Sequence, residues 1–180
     1  MRIKKIKTKY EYILFSELFA SEIGYSIPVS YFMFQNVWGL FDDQGKLQGG
    51  FAIINQPAPR CLKQIPNPKT VLTHFNKLSE FTGYFIRSKK GSIRLTIRMV
   101  IETFKNPKNE FIYAYDLDDL KLRKYYGAGK PRLLYEGIPK KLPGHPENMK
   151  PERIEVLTKI GVLRIFLYRT FKILLKVLRM

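Results

Sequence analysis

Residues 83–97 read GYFIRSKKGSIRLTI. A strand-like apolar segment runs into Arg87, Ser88, Lys89, Lys90, Gly91 and Ser92, and apolar periodicity resumes beyond them. A solvated turn would point such cations into water. A seat for a phosphate-bearing ligand would use the same cations together with a glycine that permits close backbone approach and the unpaired amides that open a helix. The choice depends on residues 92–105. Ile93, Leu95, Ile97, Met99 and Ile101 alternate as in a strand, while Ile93, Ile97, Val100, Ile101 and Phe104 equally fit a helical stripe. Ser92 can cap a helix, and Asn106-Pro107 can end one. Periodicity alone leaves both open.

Upstream, residues 80–86 (EFTGYFI) have strand character. In 37–55 (VWGLFDDQGKLQGGFAIIN), two apolar runs flank Asp-Asp-Gln-Gly, which predicts a hairpin, and Gly49 and Gly50 predict a bulge or a close backbone approach. Residues 10–23 place Ile13, Leu14, Leu18 and Phe19 near one helical face, with Gly24 as the stop. Residues 27–36 are aromatic and irregular. The four prolines of 56–69 predict a loop, followed by a short helix over 69–78. Downstream, 110–119 predicts a strand ending in an acidic turn. Asp118 or Asp119 would cap a helix running to Tyr125 or Tyr126, which the Gly-Ala-Gly of 127–129 breaks. Residues 131–139 predict a strand and 140–151 a proline-rich linker. The last thirty residues predict helix.

The 180 residues suit one domain, and 13 Phe and 11 Tyr suffice for a real core. A net charge of +17 attracts anions without choosing among nucleic acid, anionic lipid, phosphorylated ligand and acidic protein. Cys61 stands alone, so an internal disulfide is excluded and a reducing, cytoplasmic setting is expected. His74 and His145 lack neighbouring cysteines, and no metal is expected. The N-terminal MRIKKIKTKYEYILFSELFA is basic, then apolar, but Glu11 and Glu17 interrupt it, so it predicts mature protein and not a signal peptide. Charge-free stretches fall short of the roughly 20 residues a membrane span needs.

The order hairpin, strand, basic turn, helix, strand, tyrosine-bearing helix, strand over residues 37–138 resembles the GNAT superfamily of N-acyltransferases. The part that carries the likeness is YAYDLDDLKLRKYYGAGKPRLLYEG (113–137), where a strand ends, a helix carries Tyr125 four residues before Gly129, and a closing strand follows. The resemblance implies an α/β (α+β) fold with a mixed, mostly antiparallel central sheet flanked by helices. It would comprise a domain over 1–148 and a basic amphipathic helical extension over 149–180. It tips 92–105 toward helix. The family's pyrophosphate loop falls on Arg87–Ser92, with Lys90 in place of its first glycine, Gly91 displaced by one and Ser92 as the last small residue.

The resemblance further implies donor contacts from Tyr84, Phe85, Ile86, Arg87, Lys89, Lys90, Gly91 and Ser92, with backbone amides from Tyr84 to Arg87 facing the oxyanion. It implies Glu80 as base and Tyr125 or Tyr126 as the acid for a leaving thiolate. The donor would be acyl-CoA or an acyl-carrier-protein thioester. Each residue has a plainer alternative. Glu80 can be a solvent-facing charge at a strand start, the tyrosines can be core, and Asp116, Asp118 and Asp119 serve better as turn and cap residues than as metal ligands.

On a helical wheel of about 100° per residue, Arg164, Arg169, Lys172, Lys176 and Arg179 gather in a sector of about 140°. Phe166, Leu167, Phe171, Leu174, Val177 and Leu178 lie on the remainder. Gly161 can divide this segment in two. The pattern suits a helix on an anionic membrane surface, as a peripheral protein of the inner face, and equally one packed on protein. An acidic carrier protein is the alternative partner, and a catalytically silent binding module the alternative function. Nucleic-acid binding has charge and aromatics in its favour but no helix-turn-helix, zinc-finger or aromatic RNA-binding signature.

Overall fold

The computed structural model describes residues 1–56, 59–66, 77–88 and 90–178, with side chains through Lys172. The elements in order are β1 (Arg2–Lys5), α1 (Lys9–Ile23), α2 (Val29–Phe32), β2 (Asn36–Phe41), β3 (Leu47–Ile54), α3 (Arg60–Lys63), β4 (Leu78–Ile86), α4 (Ser92–Lys105), β5 (Glu110–Asp116), α5 (Leu120–Gly127), β6 (Arg132–Gly137), β7 (Glu152–Thr158) and α6 (Lys159–Leu178). The strands form one seven-stranded sheet in the order β1-β2-β3-β4-β5-β7-β6. Every neighbouring pair is antiparallel except β4 and β5. Helices α1, α2 and α3 cover one face, and α4, α5 and α6 the other.

Thr8 and Glu11 close a capping box at the start of α1, and Gly24 ends it in the left-handed region at φ 82°. The buried stripe is Tyr12, Phe15, Ser16 and Phe19, so the inward face is rotated from the one expected on Ile13, Leu14 and Leu18. Phe15 is fully buried, with its ring 5.1 Å from that of Phe32 and 5.4 Å from that of Phe85. Two glycines make room for it. A Cβ on Gly50 would lie 2.6 Å from both the Phe15 ring and the Trp38 carbonyl. Gly83 takes φ +67° beneath the same ring. Between these glycines β4 holds one extra residue: Thr82 pairs with Ala52, but Phe85 pairs with Gly50. The close approach expected at Gly50 is therefore real, and the bulge lies on β4.

The hairpin 37–55 forms as its turn residues dictate, with Asp42 Oδ1 accepting from the Gln44 and Lys46 amides. Residues 92–105 are helical, and the N-cap is Gly91 instead of Ser92. Asp119, not Asp118, caps α5 by accepting from the Leu122 amide. Residues 27–36, irregular in sequence, hold the single turn α2. The helix expected over 69–78 falls outside the described residues as far as 76, and Leu78 already opens β4.

The largest correction concerns the last thirty residues. Residues 152–158 are a strand, and β7 lies between β5 and β6 inside the sheet. An extension counted from residue 149 would thus take a central strand with it, and the helical part begins at Lys159. The strand buries Ile154 and Val156 on one face and Glu155 on the other. Glu155 is satisfied there by the Tyr113 hydroxyl at 2.7 Å and Arg153 Nε at 2.5 Å. Helix α6 runs unbroken through Gly161, where a Cβ would come within 2.8 Å of the Gly129 carbonyl. That glycine permits a close approach to the turn that follows α5 and does not divide the segment.

Phe15→Ala should lower unfolding free energy by about 3–5 kcal/mol, because the surrounding rings cannot close the cavity. Gly50→Ala, which adds a methyl against backbone, should cost about 1–3 kcal/mol. Urea unfolding followed by circular dichroism checks both.

Candidate active site

Strands β4 and β5 share only three pairs, Leu78 with Glu110, Ser79 with Phe111 and Glu80 with Ile112. Both strands continue past that point, β4 to Ile86 and β5 to Asp116, with no further pairing between them. Beyond the last pair β4 is held by β3 alone and β5 by β7 alone. The result is a V-shaped opening in the sheet with Glu80 and Ile112 at its apex. Arg87 N–H donates to the Gln48 carbonyl at 2.8 Å, so its amide is consumed by β3. Ladder alternation then turns the Ile86 amide toward the open side.

Glu80 is 1% exposed on the α2–α3 face, so it is not the solvent-facing charge of the plainer reading. Its Oε2 accepts from the Tyr31 hydroxyl at 2.8 Å and from the Cys61 amide at 3.1 Å. The Arg60 amide donates in turn to the Tyr31 oxygen at 2.8 Å. Burial pushes the Glu80 carboxyl above its ordinary range, against the hydrogen bonds of Tyr31 and Cys61. Burial, then the neighbouring Glu80 charge, pushes the Cys61 thiol well up, so this cysteine is no nucleophile at neutral pH. Beside the cluster lies a groove of about 230 Å³, lined by Tyr31, Gln56, Arg60, Lys63, Leu142 and Pro143 among others. Arg60 is anchored through the Pro143 carbonyl at 3.0 Å.

The other face of the opening is aromatic. Tyr84 comes from β4, Tyr113 and Tyr115 from β5, and Tyr126 from α5. The Tyr126 ring centroid lies 4.5 Å from that of Tyr113 and 5.1 Å from that of Tyr115. Burial, then Tyr84 and Tyr115, raises the Tyr126 hydroxyl pKa, so it keeps its proton at neutral pH. Tyr115 is buried, and its hydroxyl has no hydrogen-bond partner among the described residues. Helix α6 lies across this face. Arg169 Nη1 donates to the Tyr84 hydroxyl at 2.9 Å and to Thr96 Oγ1 at 3.2 Å.

At the basic joint, Gly91 caps α4 at φ +91°, and no side chain caps the first-turn amides. The Leu95 amide makes the first helical bond, to the Gly91 carbonyl. The amides of Ser92, Ile93 and Arg94 thus precede the helical ladder and remain as donors.

Neither a protein-family model nor a curated protein matches the sequence. Solved structures do. An N-acetyltransferase from Staphylococcus aureus Mu50 superposes with a TM-score of 0.58 at 12% identity, over 88% of this chain and 97% of that one. An N-acyl amino acid synthase from uncultured soil microbes gives 0.63 at 12% identity, over 88% and 95%. An Arabidopsis thaliana protein in complex with acetyl-CoA gives 0.59 at 10% identity, over 87% and 97%. The chain has a GNAT-like fold. Identity this low speaks for architecture, and the chemistry has to be argued from the residues.

Set on the GNAT fold, the expected residues separate. Glu80 sits at the apex. Tyr126 faces the β5 tyrosines, whereas the Tyr125 ring packs at 6.1 Å against Tyr168 of α6, beneath Lys172. Tyr84 and Ile86 lie on the α4 side, and Gly91 and Ser92 open α4. Phe85 is buried in the core under α1, and Lys90 is exposed. Arg87 is the correction: its guanidinium pairs with Glu22 at 2.7 Å and Ser21 at 2.7 Å on α1, away from the joint it was expected to serve. Lys89 lies outside the described residues. The α4 N-terminus, where free amides and a left-handed glycine meet, offers the kind of donors an anionic group accepts.

Sequence reasoning missed Tyr31, Arg60 and Glu152. Tyr31 and Arg60 lie in the two segments that carry no periodic signal. Glu152 is buried on β7, where it accepts from Gln64 Nε2 at 3.2 Å. Burial, then Asp116, raises its pKa to about 7. The native state therefore holds a proton between pH 4.5 and 7 that the unfolded chain has lost, and stability falls as pH rises through that window. Glu152→Gln should remove the dependence. The variant should exceed the parent in urea stability at pH 8, by at most about 3 kcal/mol, and the difference should shrink toward zero below pH 5.

Proposed function

We propose that the protein is an N-acyltransferase that moves an acyl group from a thioester donor to the amine of a small acceptor bearing a carboxylate. The observation that carries this reading is the parting of β4 from β5 at a buried carboxylate, with uncapped α4 amides on one side and a cationic groove on the other. The amides of Ser92 and Ile93 would receive the diphosphate of acyl-CoA. An acyl-carrier protein brings the same phosphopantetheine arm on an acidic partner, which the +17 charge would favour. Arg60 and Lys63 in the groove suit an acceptor carboxylate. The likeness to an N-acyl amino acid synthase is consistent with such an acceptor.

In the reaction the amine nitrogen bonds to the acyl carbon and the carbon–sulfur bond breaks. The amine gives up a proton, and the sulfur takes one. Glu80 is sealed from the groove, but Tyr31 lines it and already donates to Glu80. Tyr31 can accept the amine proton while passing its own to Glu80. The Ile86 amide offers a donor to the developing oxyanion. The Tyr126 hydroxyl, which stays protonated at neutral pH, supplies the proton to sulfur.

A second reading, a GNAT-shaped binding module without catalysis, draws on the Arg169 bridge between Tyr84 and Thr96, which spans the donor side of the opening. Incubation with labelled acyl-CoA and acyl-carrier donors and a panel of amino acids and their decarboxylated amines separates the two. Transfer to the amino acids supports the enzyme. Absence of both donor binding and transfer leaves the module.

If Tyr31 and Glu80 act as one relay, Tyr31→Phe and Glu80→Gln should each lower kcat by roughly 10²–10⁴, and the double variant should be no worse than either single one. KM should change little. Because the Glu80 pKa is raised, the acid limb of the kcat profile should lie above the ordinary carboxylate range. Additive losses would dismiss the relay.

A further inference from the structure

Helix α6 turns two of its cations, Arg169 and Lys172, toward the domain, while Arg164 stays exposed. Arg169 reaches Tyr84 and Thr96, and Lys172 Nζ lies over the rings of Tyr168 at 5.0 Å and Tyr125 at 5.6 Å. Leu167 and Phe171 face solvent instead, 55% and 61% exposed, as does Ile160.

The neighbouring helix repeats the pattern. Ile93, Ile97, Ile101 and Phe104 form a stripe on α4, and all four are exposed. The two helices lie side by side in opposite directions. Lys159 Nζ donates to the Phe104 and Asn106 carbonyls at 3.2 and 2.6 Å, and Arg169 reaches Thr96. These ties are about 15 Å apart on each helix at 1.5 Å per residue. Ile160 therefore stands beside Phe104, and Phe171 beside Ile93. The two stripes join into one apolar face.

Its rim is basic. Arg94 and Lys105 are exposed on the α4 flank and Lys121 and Lys124 on adjacent α5, while Arg164, also exposed, stands within the α6 stripe between Ile160 and Leu167. The only carboxylate within α4 and α6 is Glu102, which is buried and accepts from Asn36 Nδ2 at 3.0 Å. An apolar face with cations around it and no exposed carboxylate on either helix is complementary to an anionic bilayer surface. Among the described residues no helix is long and apolar enough to cross a membrane, so contact would be interfacial. The geometry points to the paired α4–α6 face as a docking surface for anionic lipid. It goes beyond acyl transfer and does not depend on it.

Co-sedimentation of the full chain with phosphatidylcholine vesicles, with and without phosphatidylglycerol, tests this. Binding should require phosphatidylglycerol and should weaken, without vanishing, as salt is raised. Leu167→Glu with Phe171→Glu should reduce it at least about tenfold, and so should Ile97→Glu with Ile101→Glu on α4. All four positions are exposed, so circular dichroism should be unchanged. Failure to bind anionic vesicles overturns the inference, as does loss with the α6 pair but not the α4 pair, which would leave a lone tail. A stable dimer by light scattering that Leu167→Glu dissociates would assign the face to a second copy and equally overturn it.

Discussion

Glu80 and Ile112 form the last rung that β4 and β5 share, and the architecture is arranged around it. Below the rung the sheet is continuous. Above it, each strand has a single neighbour, and the two halves of the molecule diverge. A sheet is expensive to open, because buried amides and carbonyls must find other partners. Here the opening is supported from both faces. Tyr31 and the Cys61 amide hold the Glu80 carboxylate on one side, which ties the short helices α2 and α3 to the apex. On the other side the tyrosines of β4, β5 and α5 line the wedge, and Arg169 lies at its mouth. The polar cluster of Glu80, Tyr31 and the Cys61 amide, its hydrogen bonds paired, fixes one geometry in a place where apolar packing alone would leave several.

Much of this was legible in the sequence where local chemistry decides local structure. The hairpin followed from Asp42–Gly45, the end of α1 from Gly24, and the start of α5 from an aspartate cap. The helix at 92–105 was not decidable from its own residues, because isoleucines at 93, 97 and 101 satisfy both periods. Only the order of surrounding elements tipped it. The strand at 152–158 was missed because Glu152 and Arg153 open it and Glu155 interrupts its apolar residues. Its alternation of Ile154 and Val156 was readable, but nothing local announced that Glu155 would be buried against Tyr113 and Arg153. Tyr31 and Arg60 met Glu80 only through tertiary packing, with 49 residues separating the tyrosine from the glutamate.

Helix α6 shows a different limit. A wheel finds two faces correctly but says nothing about which of them meets the domain. The usual guess puts cations outward. Arg169 and Lys172 found hydroxyls and ring faces that accept their charge, and their aliphatic stems cover apolar surface on the way. At the base of the helix Val162 and Gly161 are buried against the end of α5, which sets the rotation of everything that follows. One close backbone approach thus orients the start of the helix.

The late placement of β7 carries a cost during synthesis. β5 shares three rungs with β4 and a full ladder with β7, which the ribosome delivers about 35 residues later. Until then its tyrosine-rich edge has no mate, and such an edge is a template for pairing with other chains. Helix α5 and strand β6 emerge in the interval, and β6 cannot shield β5 because its own place in the sheet is against β7. A nascent chain halted in that interval would present an unpaired edge to its neighbours.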